Sequence, residues 1–252
     1  MNSENMPPVV SRAAWLAAVD DLRVREKAHT REGDAIAAAR RRLPMTEVDP
    51  ATPLVGAAGE VTLLDAFEGR SQLFASYHMW HDGRAAADQC EGCTFFNGQV
   101  RELSYLHQRD VTFAVLCQGS YPESDRYRQF MGWEMPWYSV PAASRERLLA
   151  GRAFGMKVCY LRDHDRVFET YWTTGRGVEP MAPSYGILDM TVHGRQEVWE
   201  DSPRGWPQPY GNRGEQFRRD GRPTAQWPRI AAGHDDDLGS TQSPADDGGC
   251  CS

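Results

Sequence analysis

Two thiols three residues apart, in Cys90-Glu91-Gly92-Cys93, carry the sharpest chemical signal in the chain. At the start of a helix this spacing sets both sulfurs on one side of the first turn, where they can close a small disulfide ring. The free N–H groups and the positive dipole end found there favour thiolate over thiol and lower the pKa from its free value of about 8.5. Cys90 is then the exposed nucleophile, and Cys93, one turn inside, resolves the mixed disulfide. His78 and His81 precede the pair, and His-x2-His before Cys-x2-Cys supplies the donors of a tetrahedral zinc site. His78 falls inside an apolar run and His81 just past its end, so their rings need not converge on the thiols. Redox chemistry is therefore the leading reading, and a metal set of His78, His81, Cys90 and Cys93 is the alternative. His81 is kept as an acid–base neighbour at the mouth of the site.

Other groups signal less. Cys117 ends a buried run, and the carboxyl ends of strands in open α/β sheets gather around the functional crevice, so a third thiol near the pair is geometrically allowed. The plainer reading is a small buried residue capping a strand. Cys159 sits within a hairpin and reads as inert. Trp80, Trp133, Trp137 and Trp172 are candidates to line a substrate groove and Arg176 to bind an acidic substrate, although Trp is most often buried for packing. The chain has no P-loop, no GxGxxG after a strand and no GxSxG turn, so nucleotide enzymes and hydrolases have no support.

The elements that position these groups follow from periodicity. Ser11 caps a helix through Trp15, Leu16, Val19 and Leu22 that stops near Leu43, because Pro44 pushes its predecessor out of helical geometry. Its apolar stripe thins after Leu22; it reads as a surface helix packed on the domain, or else as a solvated arm or a contact between two copies of the chain. Residues 44–60 form a connector, and Val61–Leu64 a short strand. Gln72–Trp80 and Val111–Cys117 are apolar on both faces, as buried strands are. Between them a loop leads to a helix over Cys90–His107. Ser124–Met131 is helical, Pro136–Val140 a short strand, and Met156–Leu161 with Val167–Thr173 a β-hairpin. Tyr185–Val192 closes with a helix, and Gly194–Ile230 is ordered coil. Strand–helix alternation implies parallel pairing, and the hairpin adds antiparallel strands. A CxxC opening the first helix of such a unit is the thioredoxin-like arrangement.

The chain has 252 residues and a net charge of −7, which suits one domain with appendages and argues against nucleic-acid binding by bulk electrostatics. Five acidic residues lie in 231–252 without a Lys or Arg, so the remainder is nearly neutral. That stretch has the composition of disorder. It ends in Cys250-Cys251-Ser252, read as an unselected extension or, alternatively, as a tethered thiol shuttle. Lys occurs only at Lys27 and Lys157, for which a coding bias towards Arg suffices. Without an apolar run of about 18 residues or a signal segment, no membrane partner is expected and the location is cytoplasmic by default. In a reducing compartment the few scattered cysteines suit redox or metal chemistry rather than a disulfide scaffold.

Several stretches, in order, carry a family resemblance. They are Tyr77-His78-Met79-Trp80-His81-Asp82-Gly83, Gln89-Cys90-Glu91-Gly92-Cys93-Thr94, Arg109–Val115, Phe130-Met131-Gly132-Trp133, Pro136-Trp137-Tyr138-Ser139 and Thr174-Gly175-Arg176-Gly177. Residues from about 61 to 192 resemble an uncharacterised bacterial family, domain of unknown function 899, described as thioredoxin-like predicted dithiol–disulfide oxidoreductases. The resemblance implies a thioredoxin-like α/β/α sandwich with a mixed sheet over 61–192. An N-terminal helix and connector (1–60), ordered coil (193–230) and a disordered acidic tail (231–252) would flank it. It departs from ordinary thioredoxins in lacking a proline before Met156–Leu161 and in carrying Gln89, not Trp, before the first Cys. The implied activity is thiol–disulfide exchange by Cys90 and Cys93, without a cofactor, on a disulfide or peroxide substrate with a thiol reductant. A non-catalytic protein holding a small molecule or metal ion beside the CxxC is the rival.

Overall fold

The computed structural model describes residues 6–211 and 215–236. Eight strands form one sheet: β1 (Thr46–Val48), β2 (Pro53–Gly56), β3 (Gly59–Thr62), β4 (Gln72–His78), β5 (Val111–Cys117), β6 (Trp137–Ser139), β7 (Lys157–Asp163) and β8 (Arg166–Thr173). They lie in the order β1-β8-β7-β4-β5-β6-β2-β3. β4, β5 and β6 run parallel, and every other neighbour is antiparallel. Between β4 and β5 the chain crosses through α2 (Glu91–Gly98) and α3 (Ser104–His107). α4 (Tyr121–Met131) links β5 to β6, α5 (Ala142–Leu149) follows β6, and α6 (Pro183–Asp189) follows the β7–β8 hairpin. This is the mixed, thioredoxin-like α/β architecture expected.

Alternation along the central strands sorts the side chains into two cores. Leu73, Ala75 and Tyr77 of β4 share one face with Ala114, Leu116, Val158 and Tyr160, covered by Phe67 and by Leu148 of α5. Phe113, Val115 and Cys117 of β5 share the other with Trp137, and with Tyr127, Phe130 and Met131 of α4. Ser76 and His78 fall on this second face, beneath α2, and register places Lys157 opposite Ser76. The sheet thus lies between two helical layers.

Several local expectations need correction. The connector over 44–60 contains β1, β2 and the start of β3, runs of three or four residues too short to show alternation. The strand expected at 61–64 is β3, ending at Thr62 because Asp65 accepts from the Thr62 N–H at 2.7 Å and opens a tight turn. The helix expected over 90–107 is two helices: the N–H groups of Gln99 and Val100 fold back on Phe96 and Asn97, tightening and ending α2. The first helix, α1 (Arg12–Arg40), is capped by Ser11 as expected but is not packed on the domain; none of its residues is buried. α5 had no periodic apolar signal. The segment read as coil contains a hairpin, β9 (Arg218–Arg219) with β10 (Arg222–Pro223), and α7 (Trp227–Ala231). Of the tail expected to be disordered, 237–252 with Cys250 and Cys251 lie outside the described residues.

Candidate functional site

Cys90 is the N-cap of α2, and its Sγ accepts from the Cys93 N–H at 3.4 Å. The next turn brings the Cys93 Sγ towards β4, where it accepts from the Met79 N–H at 3.4 Å. Both thiols are nearly covered, at 6 and 5 % exposed. The Cys93 thiol is lowered to about 7, first by its hydrogen bond with Cys90, then by the positive charge of Lys157 and the Met79 N–H; burial and Glu91 oppose this. The pair can therefore hold a thiolate near neutral pH, which is the form that attacks disulfides and peroxides.

A chain of buried polar groups underlies the pair. The Lys157 Nζ donates to Ser76 Oγ at 2.7 Å, and Ser76 Oγ donates to Asn97 Oδ1 at 2.6 Å. Asn97 Nδ2 lies 2.8 Å from His78 Nδ1. With its oxygen taken by Ser76, the Asn97 amide donates to His78, which leaves the His78 proton on Nε2. Burial and the nearby Lys157 push His78 down to about 3, so it stays neutral. Its ring is packed among Trp80, Tyr127, Trp133 and Trp137, at centroid distances of 5.1–6.4 Å.

Two segments close around this floor. Gln89, fully buried, ties down the loop before the helix by bonds to His81 and Arg84. The C-terminal strap, residues 215–236, crosses from the other side. Arg218 donates to the carbonyls of Ala87 and Gln89 and to Glu91. Gln226 donates to the Ala86 carbonyl and the Tyr127 hydroxyl, both at 2.7 Å. Phe217 packs on Phe95 and Phe96 of α2.

The candidates read from the sequence fall into distinct places. His81 flanks the site and is half-buried; burial and Arg84 lower its pKa, keeping the ring neutral at pH 7. Cys117 ends β5 opposite His78 and is pushed up to about 12 by burial, which makes it a poor nucleophile. Cys159 is likewise raised, to about 11. Trp80, Trp133 and Trp137 are core residues rather than groove walls, and Trp80 lies so close to Gly119 that a Cβ there would come within 2.1 Å of its ring. Trp172 is exposed beneath Arg152 on the hairpin. Arg176 is engaged by Glu179 at 2.7 Å and by the Trp199 ring. The alternative metal set does not assemble: His78 turns its Nδ1 to Asn97. Among the described residues, no three His, Cys, Asp or Glu side chains are grouped to hold a metal ion.

Lys157, Ser76 and Asn97 were missed because each reads as an ordinary polar residue. The signal available was a lysine heading an apolar strand in a chain with only two lysines. Gln89, Arg218 and Gln226 act across long stretches of sequence, and no local pattern marks them.

No curated protein matches the chain. Among solved structures, it is similar to a protein assigned as thiol:disulfide interchange protein DsbE from Chlorobium tepidum, at 15% identity and a TM-score of 0.37. That match covers 52% of this chain and 86% of the other. It is also similar to a yeast mitochondrial 1-Cys peroxiredoxin, at 12% identity and a TM-score of 0.32, covering 58% and 75%. At these values neither bears on the activity of this chain. No described helix is long and apolar enough to cross a membrane. The family model described as "Bacterial protein of unknown function (DUF899)" matches residues 4–220, reaching well beyond 61–192 into both α1 and the strap, and the chain belongs to that family.

Proposed function

We propose that this protein is a thiol–disulfide oxidoreductase that works through Cys90 and Cys93 in a reducing, cytoplasmic setting. The observation that carries the reading is Cys90 Sγ accepting from the Cys93 N–H at the start of α2, with the Cys93 thiol lowered to about 7 by its side-chain hydrogen bond with Cys90. The pair shares one proton near neutral pH. Once that proton passes to Cys93, the Cys90 thiolate attacks one sulfur of a disulfide substrate, forming a mixed disulfide and expelling the other sulfur as a thiolate. Cys93, on losing the proton to that leaving group, attacks the Cys90 sulfur; the Cys90–Cys93 disulfide forms and the second substrate thiolate departs. With a peroxide, the first attack breaks the O–O bond to give a sulfenic acid and the reduced oxygen product, and Cys93 then releases water. A small thiol reductant restores the dithiol in either case.

The test is mass measurement of the protein before and after oxidant and reductant, with single replacements. Cys90→Ser should abolish reductase or peroxidase turnover, and Cys93→Ser should accumulate mixed disulfides. Full turnover by Cys90→Ser would overturn the reading. A loss of folding on treatment with a chelator, restored by zinc, would favour the metal-holding alternative instead.

A further inference from the structure

Lys157 is 2 % exposed, on the sheet face beneath α2, and its ammonium donates to Ser76. A buried ammonium is strongly disfavoured unless a negative charge lies close by. The ionisable groups that act on it are Cys93 of α2 and its N-cap Cys90, and it faces neutral His78 of β4. Burial lowers the pKa of Lys157, and the charges that hold its proton in place are those of Cys93 and Cys90. Its counter-ion is thus a thiolate, and disulfide formation removes it.

We propose that Lys157 is the redox-linked charge partner of the dithiol: an ammonium beside the thiolate in the reduced protein, and a neutral amine once the disulfide has formed. This rests on the redox reading of Cys90 and Cys93. Above about pH 7 the half-reaction is Cys90–SH, Cys93–S⁻ and Lys157–NH₃⁺ going to the Cys90–Cys93 disulfide and Lys157–NH₂, with release of two protons and two electrons. A disulfide substrate takes up both, becoming two thiols, so the exchange balances without solvent protons. The lysine therefore stabilises a thiolate on the pair and gives up a proton that can quench a leaving thiolate. It acts through the thiols and touches no substrate.

Two measurements test this. Thiolate absorbance of the reduced protein, followed against pH, should show its midpoint rising by at least about one unit in Lys157→Met. Alkylation by iodoacetamide at pH 7 should slow about tenfold or more, one unit of pKa being a factor of ten in thiolate. An unchanged midpoint in folded Lys157→Met, or in Lys157→Gln if Met prevents folding, overturns the proposal. The second measurement needs no variant: redox equilibrium with dithiothreitol between pH 7.5 and 8.5 gives the protons exchanged per two electrons. Two protons per two electrons supports loss of the lysine proton; one shows that Lys157 stays charged and overturns it. If the wild type forms no Cys90–Cys93 disulfide at all, the redox reading itself fails, and this proposal fails with it.

Discussion

Gln89 holds His81 by both of its backbone polar groups: its Oε1 accepts from the His81 N–H at 3.0 Å, and its Nε2 donates to the His81 carbonyl at 2.9 Å. The residue before the first thiol thus replaces a strand partner for the loop that leaves β4. Gln89→Ala would leave these groups unpaired, at a cost of about 1–3 kcal/mol. Urea unfolding should show this loss, and alkylation of Cys90 should quicken as the loop loosens. An unchanged unfolding midpoint would show that water replaces the clamp.

Arg218 joins the strap to the turn before Cys90 through two carbonyls and Glu91. Arg218→Ala should raise the rate at which a bulky thiol reagent modifies Cys90 severalfold, while a small reagent is affected less. Equal rates for both reagents in both proteins would mean that the strap does not limit access.

His78 sets the acid limit of the fold. Its folded value of about 3 lies below the ordinary 6.5, so between these pH values the unfolded chain binds a proton that the folded chain refuses. Stability therefore rises with pH across this window and is lost as pH falls, at about 1.4 kcal/mol per unit. Denaturant midpoints between pH 5 and 6.5, above most carboxylate titrations, should follow this slope. His78→Gln should flatten it.

Arg152 is bound to both oxygens of Glu169, at 2.6 and 2.8 Å, with both side chains mostly covered, and its guanidinium lies over Trp172. Arg152→Ala should cost about 2–3 kcal/mol, since it strands a largely desolvated carboxylate. Thermal melts should show a loss that adding salt does not reproduce in the wild type. A melting temperature within error of the wild type would contradict it.

α1 contributes no buried residue, and its end meets the body through Arg40 over Tyr171. Removing residues 1–36 should shift the melting temperature by no more than about 2 °C, the scale of surface changes. A larger drop would show that the exposed Trp15, Leu16 and Leu22 are covered in solution by a second copy.

The parts legible in the sequence are those where chemistry is local. Gln72–His78 and Val111–Cys117 lack an alternating solvent-facing stripe because each is covered on both faces, and Cys90-x-x-Cys93 announces itself by spacing. The floor of the site is not local. Ser76, Asn97 and Lys157 come from two strands and a helix, and each becomes significant only when register sets Lys157 beside Ser76. The tryptophans misled for a related reason: Trp80, Trp133 and Trp137 look like groove residues until their shared contact with His78 places them in a core. The strap reads as coil because its order comes from single long-range bonds such as Gln226 to Tyr127, which impose no periodicity.

The strap is also late in time. Arg218 follows Cys93 by about 125 residues, which at roughly 5–20 residues per second is about 6–25 s of synthesis. β4 and α2 emerge long before the segment that roofs them. A nascent chain therefore presents its dithiol to the surrounding thiol pool for several seconds before Arg218 and Gln226 can dock, so the site passes through an open stage that the folded protein reaches only by releasing the strap.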